Sequence, residues 1–214
     1  MKSGGMLNEE ELRLLRSVIE LTKKELAGAT VTIDYAPAGS EREHVLNEVL
    51  REIGVKFNIV ENGKAKPMYR VRNVAFYGVP WNEELVSLVS VIVDSTKDHG
   101  EIRELAKELG EVKARIIVFV TNECPYCPHA VRAAALVAMS CGLPCEVWIC
   151  DDFPEVANDY EIFSVPSTII EAEDGGLPLL IPGYSPAQYI KLLLNGLLLV
   201  KEGYHKRGGE QSSG

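Results

Sequence analysis

The sequence has no cysteine in its first 123 residues, and all five cysteines fall between Cys124 and Cys150. A secreted disulfide framework would spread them along the chain, so the clustering favours a local redox or metal function. Dense Lys/Arg clusters are also missing, and a formal net charge of -9 argues against a general nucleic-acid surface, which needs a cationic footprint. No apolar run reaches the roughly 18 residues of a membrane span. The opening stretch MKSGGMLNEEELRLL turns acidic where a signal peptide needs its apolar segment. These absences lead to the expectation of a cytoplasmic protein. What is present is ordinary globular material: 214 residues with 46% hydrophobic and 25% charged content, enough for one large domain or two of about 100 residues each.

The informative stretch is IIVFVTNECPYCPHAVR, from Ile116 to Arg132. Five apolar residues, four of them β-branched and one aromatic, predict a short buried strand; Thr121, Asn122 and Glu123 turn the chain, and the Ala-rich run beyond Val131 predicts a helix. Cys124, Pro125, Tyr126 and Cys127 therefore stand at a strand-to-helix junction. There the first thiol lies beside backbone N–H groups without intrahelical partners and beside the positive end of the helix dipole, and both favour thiolate. Dithiol chemistry needs this arrangement: a lowered pKa on the first cysteine and a second thiol one turn away to resolve a mixed disulfide.

Before that stretch, Met1 to Met6 reads as a flexible leader, and Asn8 with Glu11 resembles a capping box. Leu12, Leu15, Ile19 and Leu26 fall on one helical face. Val31 to Tyr35 predicts a strand, Glu41 to Ile53 a helix and Val55 to Val60 a second strand, parallel to the first if the helix is a right-handed crossover. Met68 to Val71 and Val74 to Tyr77 predict a hairpin around Arg72 and Asn73, and Asn82 to Val93 an apolar helix. The second half repeats this order of α, β, α, β, β, β, α, with helices over Glu101 to Leu109, Pro128 to Ser140 and Pro186 to Leu199. Its strands are expected over Arg115 to Val120, Cys145 to Cys150, Ser167 to Ala172 and Leu177 to Ile181. An internal duplication with a boundary near His99 accounts for the pattern. It divides the chain into residues 1–99, a cysteine-free unit; 100–204, the unit with CPYC; and 205–214, a polar, Gly-rich tail expected to be disordered.

The strand followed by CPYC and a helix, the strand Glu146 to Cys150 leading into Asp152, Phe153 and Pro154, and the Val165-Pro166-Ser167-Thr168 turn into a hairpin resemble a thioredoxin/glutaredoxin unit. In tandem, with FYGVPWNEELVSLVSVIVD upstream, they resemble the glutaredoxin-like protein disulfide oxidoreductases of archaea and thermophilic bacteria. The resemblance implies an α/β fold of two thioredoxin/glutaredoxin-like units, each a mixed sheet flanked by helices. It implies that Cys124 is the attacking thiolate, Cys127 the resolving thiol, and Pro166 a cis-proline facing them. Pro125, Tyr126, Val165 and Pro166 would form the substrate-binding surface, with the Val165 backbone free to pair with an extended segment. No bound cofactor is expected; a thioredoxin-reductase-like flavoenzyme or glutathione would supply reducing equivalents, and the partners would be protein disulfides or dithiols. Members of that family usually carry a second CxxC where this chain has Ala36 to Ser40, so its first unit cannot do thiol chemistry and is expected to be structural or to dock substrate, with Pro67 in the place of its cis-proline. Val118 stands where thioredoxins have a buried acid, and Glu123 replaces the usual tryptophan.

Other readings stay open. A redox-sensing or partner-binding adaptor would carry the same dithiol without turnover. Zinc is the third, because Cys124, Cys127, Cys141 and Cys145 have a tetrahedral ligand pattern on paper; the 13 residues between the pairs, read as helix, would hold them roughly 18 Å apart. Cys141 and Cys145 read as small buried hydrophobes or a structural disulfide, Cys150 as a buried thiol or a regulatory one, and His129 as an exposed polar residue or a cation beside the thiolate.

Overall fold

The computed structural model describes residues 9–204. The expected leader, the Asn8 cap and the tail over 205–214 lie outside them. The elements are α1 (Glu9–Leu26), β1 (Val31–Ala36), α2 (Glu41–Glu52), β2 (Val55–Ile59), β3 (Met68–Val71), β4 (Val74–Tyr77), α3 (Glu83–Asp94), α4 (Gly100–Leu109), β5 (Ala114–Val120), α5 (Cys127–Cys141), β6 (Cys145–Ile149), α6 (Pro154–Asp159), β7 (Ser167–Ala172), β8 (Leu179–Pro182) and α7 (Tyr189–Lys201). The eight strands form one sheet in the order β2-β1-β3-β4-β6-β5-β7-β8.

Each half contributes the same four-strand pattern. In the first, β1 runs parallel to β2 and antiparallel to β3, which pairs antiparallel with β4. In the second, β5 runs parallel to β6 and antiparallel to β7, which pairs antiparallel with β8. The duplicated element order seen in the sequence is thus a duplicated topology. The halves are joined through β4 and β6, parallel partners in the register Val74 with Cys145 to Tyr77 with Trp148. Every central strand therefore has both edges paired, and the sheet runs unbroken from one half to the other.

Alternation along the strands sorts the core into two faces. Ile33, Phe76, Ile116, Val118, Val147 and Ile170 face the helical layer, where Leu50, Leu88, Val131 and Leu197 pack against them. Tyr77, Phe119, Trp148 and Ile169 face the other side, covered by Ala157 of α6 and by Phe153, Val156 and Tyr160 around it. Helix α5 lies in the middle of the helical layer; its buried alanines at 130, 133, 134, 135 and 138 bring neighbouring elements close. It begins with Pro128 in its first turn, where a missing N–H costs nothing, and ends on Gly142 in the left-handed region, φ 70°.

Some bounds differ from the sequence reading. Strand β8 begins at Leu179 rather than Leu177, because the Gly175-Gly176 turn and Pro178 delay entry into the ladder; Leu177 is left exposed. Helix α7 starts at Tyr189 rather than Pro186, after a turn closed by the Tyr189 N–H on the Ser185 carbonyl. Strand β6 ends at Ile149, with Cys150 in the following turn. The short α6 was not expected; Pro154 opens it.

A candidate dithiol site at the join of the two halves

Strand β5 ends at Val120, and the loop from Thr121 to Tyr126 leads into α5, whose first residue is Cys127. Cys124 and Cys127 are joined as a disulfide with their Cα atoms 5.4 Å apart. Cys124 is half-buried and Cys127 fully buried, so an incoming partner meets the first sulfur and not the second. The amide supply to that sulfur is narrower than the sequence suggests. Pro125 and Pro128 have no N–H, and the Cys127 N–H donates to the Cys124 carbonyl at 3.2 Å. Among residues 125–129 this leaves the N–H groups of Tyr126 and His129 as the remaining backbone donors of the loop.

The register of β5 with β7 pairs Phe119 with Ser167, which sets Pro166 beside Val120 at the same sheet end as the dithiol loop. The Val165-Pro166 peptide bond is cis, as expected, and so is Lys66-Pro67 in the first half. Pro166 is buried, Val165 half-buried, and the Gly183 N–H donates to the Pro166 carbonyl at 2.8 Å. Cys124, Pro125, Tyr126, Cys127, Val165 and Pro166 thus converge on one rim. Tyr126 is 64% exposed there and Phe163 is 95% exposed. His129 is exposed and stacks on Tyr184, ring centroids 5.5 Å apart.

The first half holds this loop in place. Trp81 donates its buried backbone N–H to Asn122 Oδ1 at 2.9 Å, and Glu83 donates its N–H to the Asn122 carbonyl at 3.2 Å. Asn82, at φ 48°, donates from Nδ2 to Glu123 Oε1 at 2.8 Å. Asp151 and Asp152, just past β6, each bind one backbone N–H at 2.7 Å: Asp151 that of Asn122, Asp152 that of Val79. Gly78 makes this approach possible, since a Cβ there would stand 2.7 Å from Asp152 Oδ2 and 2.9 Å from Ile149 Cβ, at a φ of 111°. On the opposite face of the sheet Glu146 joins Lys64 of the first half to Arg115 of the second. At the helical layer Arg132 clamps the buried Asp94 with Nε at 2.6 Å and a second nitrogen at 3.0 Å.

Glu84 is the functional candidate that the sequence reading missed. It is fully buried beneath this junction, and neither carboxyl oxygen meets a hydrogen-bond partner among the described residues. Burial, with Glu83 and Asp151 nearby, pushes its pKa up to about 8, so the group is largely uncharged at neutral pH. Val118 leaves β5 without a buried acid, whereas Glu84 of the first half is a buried acid close to Asp151 and Cys150. The signal was present as spacing, because Glu84 precedes the buried Leu88 and Val91 by four and seven residues, on the apolar stripe of α3.

The loop at the corresponding place in the first half, Ala36 to Ser40, is closed on an internal carboxylate. Glu43 accepts from the N–H groups of Ala38 at 2.9 Å, Gly39 at 2.6 Å and Ser40 at 3.0 Å, and from the Tyr35 hydroxyl. Ser40 completes a capping box with it. The remaining cysteines do not join the dithiol. Cys141 and Cys145 are free thiols at the far end of α5, about 21 Å along a 15-residue helix from Cys127, so the four sulfurs do not converge on one metal. Burial raises the thiol pKa of both. Cys150 is free and half-buried behind the dithiol loop; its N–H donates to the Val120 carbonyl at 2.8 Å and burial pushes its thiol up to about 11.

The thioredoxin-domain family profile matches residues 114–175, from β5 through the turn after β7. No curated protein sequence matches the chain. Among solved structures, the protein disulfide oxidoreductase of Aeropyrum pernix K1 is 21% identical with a TM-score of 0.71, over 92% of this chain and 96% of that one. The AhpF component of the alkylhydroperoxide reductase of Enterococcus faecalis is 20% identical with a TM-score of 0.68, over 85% of this chain and 98% of that one. Sso1120 of Sulfolobus solfataricus is 23% identical with a TM-score of 0.51, over 76% of this chain and 94% of that one. The fold is α/β, with two thioredoxin-like units in tandem. Among the described residues no helix is long and apolar enough to cross a membrane.

Proposed function

We propose that the chain is a thiol-disulfide oxidoreductase acting on protein disulfides or dithiols through Cys124 and Cys127. The observation that carries the reading is the pair itself: two cysteines within bonding distance at a strand-to-helix junction, the first reachable and the second buried behind it. In the reducing direction Cys124 thiolate attacks one sulfur of a substrate disulfide, forming a mixed disulfide and expelling the other sulfur as thiolate. Cys127 thiolate then attacks Cys124, releasing the second substrate thiolate and leaving the Cys124-Cys127 disulfide; two electrons have passed to the substrate. An external dithiol donor, such as a thioredoxin-reductase-like flavoenzyme, returns them. The oxidising direction is the same sequence reversed.

Pro125, Tyr126, Val165 and Pro166 are assigned to substrate contact, and the first unit to holding the dithiol loop through Trp81, Asn82 and Glu83. The test is a redox titration of the Cys124-Cys127 pair together with an insulin-reduction assay. A potential within the roughly -270 to -120 mV spanned by dithiol oxidoreductases, with turnover, supports the reading and bounds the direction. Titration without turnover on any disulfide would instead favour an adaptor that senses redox state.

A further inference from the structure

The dithiol rim has an unusual balance of groups. Glu123, Asp151, Asp152, Glu155 and Glu161 stand on the segments that follow β5 and β6, and the one Lys or Arg between Ile116 and Ile190, Arg132, is committed to Asp94. The part of the first half that meets this rim, Asn73 to Thr96, has no Lys or Arg at all. Glu123, Asp151 and Asp152 surround the dithiol loop, and each accepts from a neutral N–H donor, so none of the three charges is cancelled by its bond. Glu161 lies exposed two residues from Phe163. Lys66 is the cation at the matching end of the first half, next to Pro67, whose carbonyl accepts from Gly78. It stands three strand spacings from β5, about 14 Å, beyond the reach of strong screened attraction.

Two aromatic rings on the segments that carry the site are left uncovered by the fold. Phe163 is the most exposed large hydrophobic side chain among the described residues, at 95%, and Tyr126 is 64% exposed, on the segments before Pro166 and between the two cysteines. Carboxylates beside uncovered aromatic faces suit Lys and Arg side chains, which pair with the first and stack on the second. The same rim opposes glutathione, a net anion at neutral pH whose two carboxylates need cations that the described part of the rim lacks.

We infer that the dithiol site selects protein disulfides flanked by basic residues and discriminates against glutathione, through the carboxylates of Glu123, Asp151 and Asp152 and the exposed rings of Tyr126 and Phe163. The inference rests on the thiol-disulfide reading above and adds its substrate class.

The test uses the reduced full-length protein and cystine peptides of one length whose half-cystines are flanked by Arg, by Ser or by Glu, with glutathione disulfide as a fourth oxidant. At low ionic strength the Arg peptide should be reduced at least about tenfold faster than the Glu peptide, with the Ser peptide between them. Glutathione disulfide should behave like the Glu peptide, and the gap should close in high salt. Glu123→Gln and Phe163→Ser should each compress the ratio of Arg to Glu rates, a ratio from which any change in Cys124 reactivity cancels. Equal rates for the three peptides, or preferred reduction of glutathione disulfide, overturn the inference while leaving the thiol-disulfide reading intact. Absence of thiol release from all four overturns that reading and the inference with it.

Discussion

The backbone N–H of Trp81 and the side-chain oxygen of Asn122 meet at 2.9 Å, both residues buried, across the join of the two halves. Asn122 stands two residues before Cys124, so this bond ties the position of the dithiol loop to the first half. Replacing Asn122 by Ala leaves a buried donor unpaired and should cost about 1–3 kcal/mol. Urea denaturation measures it. A loss well below about 1 kcal/mol would mean that the Trp81 N–H finds another acceptor.

Cys124 is the more exposed residue of the pair, which supports the proposal that it attacks and Cys127 resolves. Cys124→Ser should abolish turnover because the reachable nucleophile is gone. Cys127→Ser leaves attack intact but removes resolution, so it should accumulate mixed disulfides with partner proteins, visible as dithiothreitol-sensitive mass adducts. A Cys124→Ser protein that still turns over, beside a Cys127→Ser protein that traps nothing, would reverse the assignment.

Glu123 adjoins Cys124 in the chain and is exposed, its carboxylate held by Asn82. The helix terminus should bring the Cys124 thiolate below the free-cysteine pKa of about 8.5, with Glu123 opposing. Glu123→Gln removes the charge and should lower the Cys124 pKa by a few tenths of a pH unit, read from alkylation rates across a pH series. No change, or a rise, would place the carboxylate too far from the sulfur to matter.

Glu84 makes stability depend on pH with a definite sign. Its folded pKa, about 8, lies above the value of 4.5 for an unperturbed glutamate, so the folded state holds the proton where the unfolded chain has lost it. The stabilisation is complete below about pH 4.5 and is lost as pH rises through about 8, a change on the order of 5 kcal/mol for this one group. Glu84→Gln keeps the shape without the titration. Its stability curve should be flatter than the parent's over that window, and parallel curves would remove Glu84 as the cause.

How far these sites could be read from sequence follows from the range of the interactions that build them. CPYC, the β5 and α5 patterns and the Val165-Pro166 turn are local signals, and they converged at one sheet end because strand order and direction follow from the repeated plan. The pairing of β4 with β6 left no such trace: a parallel ladder formed by backbone groups carries no mark of its partner in side chains that read as ordinary buried strand. Asn122 and Asp152 were opaque for the same reason: each bonds a backbone N–H 41 or 73 positions away, in a segment whose apolar pattern is complete without it. Glu84 left only a weak mark, an acid on the apolar stripe of α3. Helix α6 was missed because six residues opened by a proline give too little periodicity to separate a helical turn from a loop.

The join also sets what the second unit can do by itself. A chain beginning at Gly100 keeps β5, α5, the cysteines and Pro166, but it loses β4, so β6 becomes an unpaired edge in what had been the middle of the sheet. It loses Asp94, which holds Arg132, and the Trp81 and Glu83 contacts to Asn122. It also uncovers the apolar face of α5 that packs on α3. Such a fragment should reduce small disulfides while melting lower and turning over protein disulfides poorly, because the loop that presents Cys124 is no longer held from the other side. Calorimetry and paired assays on a small and a protein disulfide test this. Equal melting temperature and equal protein-disulfide turnover would show the first unit to be an appended domain with some other task, and would remove the Trp81-Asn122 bond from any part in presenting the dithiol.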